Sequence, residues 1–201
     1  MTESNTVKIG GLLLAAGGST RFGSPKQLFE FQGKTLLRRA AEAIIGSGCS
    51  PIVVVLGANV DESLAEISDL DIHPVVNSDW KTGMSSSIHA GLAELENLDP
   101  ALDGVLFTLM DQPFIAAKHL VQFVDQFRRE QPPIIASEYN NITGVPALFA
   151  RELFDELFKL GGEKGARALI RGRDDLMTIN LDHLGRDVDT VEDLLESASP
   201  N

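Results

Sequence analysis

The sequence predicts an α/β protein of three layers, helix–sheet–helix, built around a mostly parallel sheet. Three observations carry that prediction. Apolar runs of strand length alternate with helical periodicity through most of the chain, the order that right-handed crossover units produce. One run, residues 52–56, is almost purely β-branched and lacks the alternation of a strand with one wet face, so it belongs in a sheet covered on both sides. The first run ends in a glycine-rich turn, and sheets of this kind hold ligands at the carboxyl ends of their strands.

Taken in order, strands are expected at residues 8–14, 52–56, 74–76, 105–110, 134–136 and, more weakly, 176–179. Thr35 supplies an N-cap for a helix carrying Leu36, Leu37, Ala40, Ala41, Ile44 and Ile45 at spacings of three and four, and Gly46 and Gly48 end it. Met84, Ile88, Leu92 and Leu95 mark the inner face of a second helix. Leu120, Phe123, Val124 and Phe127 mark a third, and Leu153, Phe154, Leu157 and Phe158 a fourth. Ala166, Leu169 and Ile170 suggest a short fifth helix, and residues 191–195 a last one. The 201 residues suit a single domain, 1–201, with a substantial core.

Composition narrows the function. The net charge of −12 repels nucleic acid and anionic membranes. Positive charge is nevertheless concentrated near the N-terminus. Residues 1–39 carry Lys8, Arg21, Lys26, Lys34, Arg38 and Arg39 against only Glu3 and Glu30. The polar first residues lack the basic-then-apolar order of a secretory signal, and no apolar run reaches membrane-spanning length, so the expected location is cytoplasmic. The single cysteine, Cys49, forms no intramolecular disulfide and is expected to be a packed thiol, not a nucleophile.

The stretch from Leu12 to Lys26 is the most informative. Small residues and glycines let successive backbone N–H groups approach an anion, and Arg21 and Lys26 add the charge to hold a triphosphate. Gly18 and Gly23 have the glycine spacing of a Walker loop, but Ser24-Pro25 stands where its Lys and Ser/Thr should be, and no dinucleotide-type G-x-G-x-x-G occurs. Asp111 closes an apolar run and precedes Gln112-Pro113. A carboxylate at a strand end is suited to a hard cation such as Mg²⁺, which needs only one or two protein carboxylates when phosphates and water complete its shell. The Ser85-Ser86-Ser87 turn opens a helix whose first N–H groups are expected to face outward, a second anion site.

Leu14-Ala15-Ala16-Gly17, Ser19-Thr20-Arg21-Phe22-Gly23 and Pro25-Lys26-Gln27-Leu28 together resemble the signature of the MobA-like NTP transferase family, and within it the molybdenum cofactor cytidylyltransferases, the MocA type. The resemblance implies a Rossmann-like sheet of the nucleotide-diphospho-sugar transferase type. It also implies transfer of CMP from CTP to molybdopterin with Mg²⁺ and release of pyrophosphate. Ala16, where GTP users carry glycine, favours CTP. Carried over residue by residue, Leu14, Ala15, Ala16, Gly17, Gly18, Ser19, Arg21, Lys26 and Ser87 would hold the nucleotide, with Arg21, Lys26 and Asp111 catalytic. Asp111 and Asp189 would hold the metal. Asp189 lies in Asp187-Val188-Asp189-Thr190-Val191-Glu192-Asp193-Leu194, which resembles the family's closing motif except that Val191 replaces a proline. Trp80, Gly144, Pro146 and Arg167 fall in segments similar to the family's acceptor-binding ones; Trp80 either stacks on a ring or packs. Glu163 stands where the family has Asp. A molybdoenzyme or its chaperone would receive the product. Two other functions fit the same loop: nucleotidyl transfer to a sugar phosphate or other small phosphorylated metabolite, and a non-catalytic nucleotide-binding protein that delivers a cofactor. His73, His89, His119 and His183 share no ligand spacing.

Overall fold

The computed structural model describes residues 6–18, 25–139, 141–182 and 184. The expected helix at 191–195 and the site candidates Ser19, Arg21 and Asp189 lie outside the described residues, as do Asp187, Thr190 and His183.

A seven-stranded sheet forms the middle layer. Its first strands are β1 (Ile9–Ala15), β4 (Ile52–Leu56), β5 (His73–Val76) and β6 (Gly104–Leu109). These are all parallel, with β1 between β4 and β6. The remainder is β7 (Ile134–Tyr139), β8 (Ile142–Ala150) and β9 (Leu176–Asn180), giving the order β5-β4-β1-β6-β8-β7-β9. A separate two-stranded ribbon, β2 (Glu30–Phe31) with β3 (Lys34–Thr35), leads into the first helix. The six expected strands are all present, each end within three residues of its expected position.

The sequence reading gave no strand at β8, which runs antiparallel to both β6 and β7. Gly144 and Pro146 inside the run argue against a strand, since proline donates no ladder hydrogen bond. The structure accommodates both at an irregularity. Register passes from Ala136↔Ala147 to Ser137↔Gly144, leaving Val145 and Pro146 unopposed on β7. Side chains then serve the carbonyls of the bulged residues. Ser137 Oγ donates to Pro146 O at 2.6 Å, and Tyr139 OH donates to Val145 O at 2.7 Å.

Helices cover both faces. Because side chains alternate along a strand, Leu13, Val54 and Leu106 point into one core with Leu36, Leu37, Ile44, Phe123 and Phe127. The last five belong to α1 (Leu36–Ile45) and α4 (Ala117–Glu130). A short helix, α2 (Val60–Glu66), which the sequence did not reveal, contacts α1 on this side. Leu12, Val53, Val55 and Phe107 face the other way, packing with Ile88, Leu92, Leu95, Phe154, Leu157 and Ile170. Those six come from α3 (Met84–Leu98), α5 (Phe154–Phe158) and α6 (Arg167–Ile170). Thr35 caps α1 as expected, accepting from the Arg38 N–H at 3.1 Å. No helix among the described residues is long and apolar enough to cross a membrane.

Candidate functional site

The strand order reverses between β4 and β6 on either side of β1, and α3 begins beside the carboxyl ends of these strands. The crevice at that switch point is where an open α/β sheet holds its ligand. A cavity of about 570 Å³ lies there. Leu14, Ala15, Ala16 and Gly17 at the end of β1 form one wall, and Leu109, Met110 and Asp111 at the end of β6 another. Lys26 enters from the short turn after the glycine loop. Trp80, Lys81 and Gly83 come from the turn before α3, Met84 and Ser87 from its first turn, and Glu163 from the loop before α6.

The structure thus brings together Leu14, Ala15, Ala16, Gly17, Lys26, Ser87, Trp80 and Asp111 from the expected site. Lys26 is only 5 % exposed, and its Nζ lies 3.4 Å from Asp111 Oδ2. A nearly buried ammonium is stable only with anionic company, and Asp111 provides some of it. Their arrangement sets a cation and a carboxylate side by side at the cavity. Among the described residues no three His, Cys, Asp or Glu side chains gather as a metal site. Asp111 and Glu163 are the two carboxylates on the wall, and one carboxylate is enough for a hard cation whose remaining ligands are phosphate and water.

Two parts of the backbone make this geometry possible. Gln27, fully buried, donates from Nε2 to Gly17 O at 2.6 Å and Ala15 O at 3.3 Å. The Ala58 N–H takes Ala16 O at 3.1 Å. At the start of α3, Gly162 O accepts from both Ser85 N (3.2 Å) and Ser85 Oγ (2.9 Å). A Cβ on Gly83, at φ 122°, would sit 2.3 Å from Gly162 C and O. Only glycine allows that approach, and the contact carries Glu163 to the cavity.

The serine turn differs from expectation. Its N–H groups do not all face outward, since Gly162 O takes the Ser85 N–H and Gly83 O takes the Ser86 N–H at 3.2 Å. Only Ser87 of the three lines the cavity, where its hydroxyl accepts from Asn77 Nδ2 at 3.0 Å. Gly18 lies beneath the Trp80 ring instead of on the wall. A Cβ there would meet Trp80 Cη2 at 2.6 Å, and one on Gly57, just after β4, would meet Trp80 Cγ at 2.7 Å. Trp80 therefore packs against the glycines that follow β1 and β4 while also lining the cavity.

The other acceptor candidates are not on the wall. Gly144 and Pro146 are buried within β8, and Arg167 is exposed with its guanidinium against Gly144. An added Cβ on Gly144 would stand 3.0 Å from Arg167 Nη2. One link joins this strand to the cavity: Gln112 Nε2, next to Asp111, donates to Val145 O at 2.9 Å. In the sequence Gln27 and Gln112 stand only as motif letters, because a glutamine's partners are set by distant backbone. Cys49 is buried as expected, and burial pushes its thiol up to about 11, which rules out a thiolate nucleophile at neutral pH.

The family model described as MobA-like NTP transferase domain matches residues 11–198. Nicotine blue oxidoreductase of Paenarthrobacter nicotinovorans is 31 % identical over 96 % of this chain and 98 % of its own. A probable molybdenum cofactor guanylyltransferase of Bacillus cytotoxicus is 24 % identical over 78 % of this chain and 75 % of its own. Among solved structures, Rv0371c of Mycobacterium tuberculosis H37Rv superposes with a TM-score of 0.83 at 29 % identity, covering 95 % of this chain and 97 % of that one. A second structure of the same protein, in complex with manganese, gives a TM-score of 0.78 at 27 % identity, covering 95 % and 98 %.

Proposed function

The chain belongs to the MobA-like NTP transferase family, and from that premise we propose that it transfers a nucleoside monophosphate from an NTP to a small phosphorylated acceptor, releasing pyrophosphate. The observation that carries this reading is the juxtaposition of Lys26, Asp111 and the glycine turn on one cavity at the sheet's switch point. A triphosphate needs backbone donors and a cation in such a crevice.

In the reaction a phosphate oxygen of the acceptor forms a bond to the α-phosphorus as the α–β bridging bond breaks, and the electron pair leaves with pyrophosphate. A phosphate monoester is already anionic near neutral pH, so positioning and charge neutralisation carry the rate. Lys26 would hold the departing phosphates, and the N–H groups of the glycine turn the remainder of the triphosphate. Ser87 and Trp80 would border the nucleoside and the acceptor. Asp111, with Asp189, would hold Mg²⁺, which when bound neutralises phosphate charge. The manganese complex of the Mycobacterium protein supports a divalent ion in this fold.

For the acceptor, a small phosphorylated metabolite such as a sugar phosphate is favoured over molybdopterin. The molybdenum cofactor relative is the more distant of the two, and the segments implied to grip a pterin, Gly144 and Pro146, are off the cavity wall. CTP is the nucleotide favoured by Ala16. Pyrophosphate release is the test, with CTP, GTP, ATP and UTP each offered against sugar phosphates and against molybdopterin. Release with a sugar phosphate and none with molybdopterin supports this acceptor class; the reverse restores CMP transfer to the pterin.

The Paenarthrobacter relative favours a second reading, oxidation or reduction of an organic substrate of the nicotine blue kind. The loop after β1 lacks the G-x-G-x-x-G spacing of a dinucleotide site, which weighs against it. Oxidation of NADH or NADPH by nicotine blue, with no pyrophosphate from any NTP, would establish it instead.

A further inference from the structure

We propose that Gln27 is the positioning residue that sets the nucleotide-binding turn, an assignment that rests on the reading of this cavity as an NTP site. Gln27 directly follows Lys26, the buried cation of the cavity, and is itself 0 % exposed. Its Nε2 reaches two carbonyls of the turn, Gly17 O at 2.6 Å and Ala15 O at 3.3 Å. The orientation of the amide is fixed by these partners, because the flipped form would press Oε1 against two carbonyl oxygens. Two neighbours complete the set. Leu14 O accepts from the Met110 N–H at 3.2 Å, and Ala16 O from the Ala58 N–H at 3.1 Å.

Four consecutive carbonyls, from Leu14 to Gly17, are thus each held by a donor. In a planar trans peptide the N–H points opposite to the C=O. Fixing Ala15 O and Gly17 O on Gln27 therefore turns the N–H groups of Ala16 and Gly18 away from it. A turn built from Ala-Ala-Gly-Gly has no side chains of its own to choose between peptide orientations. A flipped peptide would present a carbonyl oxygen, which repels phosphate, where a donor is needed. Gln27 makes that choice for the turn, and by adjacency it also fixes where Lys26 begins.

The role separates from simple stabilisation. Ser137 provides the matched control: it too is 0 % exposed and donates one buried hydrogen bond to a backbone carbonyl, Pro146 O at 2.6 Å, but in the β7–β8 region. The experiment is calorimetric titration of CTP, GTP, ATP and UTP, with Mg²⁺, into the full chain and into Gln27→Met and Ser137→Ala, with thermal melting of all three. Gln27→Met should weaken the best-bound NTP by about tenfold or more, from two lost bonds of ordinary worth. Ser137→Ala should lower the melting temperature while leaving affinity within about twofold. Should Gln27→Met not fold, Gln27→Asn, one methylene too short to span both carbonyls, takes its place with the same loss expected. If NTP affinity falls equally in Ser137→Ala, or does not fall in the Gln27 variant, the assignment is wrong while the NTP site stands. If the wild-type chain binds none of the four nucleotides, the proposed function itself fails.

Discussion

The two halves of the sheet are built on different terms. In the parallel half, β1, β4, β5 and β6 end at one edge, and the residues that face the cavity follow directly from strand ends: Ala16 and Gly17 after β1, Asp111 after β6. In the other half β8 runs backwards between β6 and β7, and its bulge at Val145 and Pro146 is held by Ser137, Tyr139 and Gln112. The first half exposes polar groups to a ligand, and the second spends its polar groups on its own backbone. Chemistry is therefore expected to be concentrated in the first half, and variants in the second to act through stability or through the acceptor.

The largest effects should come from the cavity. Asp111→Ala is expected to remove nearly all pyrophosphate release, and Lys26→Ala to cost about 10²–10³ in kcat, the usual loss for one electrostatic partner of a developing charge. Wild-type turnover in either variant would break the division between the halves. Next comes the clasp between the halves. Gly83→Ala places a Cβ 2.3 Å from Gly162 C and O at a φ of 122°, so backbone must move, at a cost of about 1–3 kcal/mol. Chemical denaturation would read that loss, and an unchanged midpoint would show that the 161–165 loop does not depend on this contact.

A smaller effect is expected from pH. His119 at the start of α4 is buried, and its Nδ1 accepts from the Ala116 N–H at 3.0 Å. Burial holds its pKa below the ordinary 6.5, so the folded protein favours neutral imidazole. The unfolded chain then binds the extra proton first, and stability is lost as pH falls below about 6.5 until the folded group also protonates. Melting curves from pH 7.5 to 5 should show that decline, reduced in His119→Gln. The smallest effect belongs to Arg167→Ala. Its side chain is exposed, so the melting temperature should barely move and NTP affinity should not change. The acceptor KM should also stay unchanged, because Arg167 is off the cavity wall; a rise in it would assign the second half to the acceptor.

The same division explains what the sequence disclosed. The parallel half was legible because its signals are local. Ile52–Leu56 is a continuous β-branched run, and the glycines of the first loop sit within a few residues of Lys26. β8 was hidden because Gly144 and Pro146 break strand propensity, and the bulge that accommodates them depends on Ser137 and Gln112, remote in sequence. For the same reason Gly144 and Pro146 matched an acceptor motif without reaching the cavity wall. Gln27 was missed because nothing in one glutamine tells that Ala15 O and Gly17 O lie within reach. The serine turn at α3 was half legible. Its place at a helix start was plain, but the Gly162 carbonyl that occupies Ser85 arrives from 77 residues away.

The most direct test of the central claim is a crystal structure with a non-hydrolysable NTP analogue and Mn²⁺, located by its anomalous signal. The triphosphate is predicted against Ala16, Gly17 and Lys26, with the metal between it and Asp111. A nucleotide bound elsewhere, or a manganese peak remote from Asp111, would contradict it.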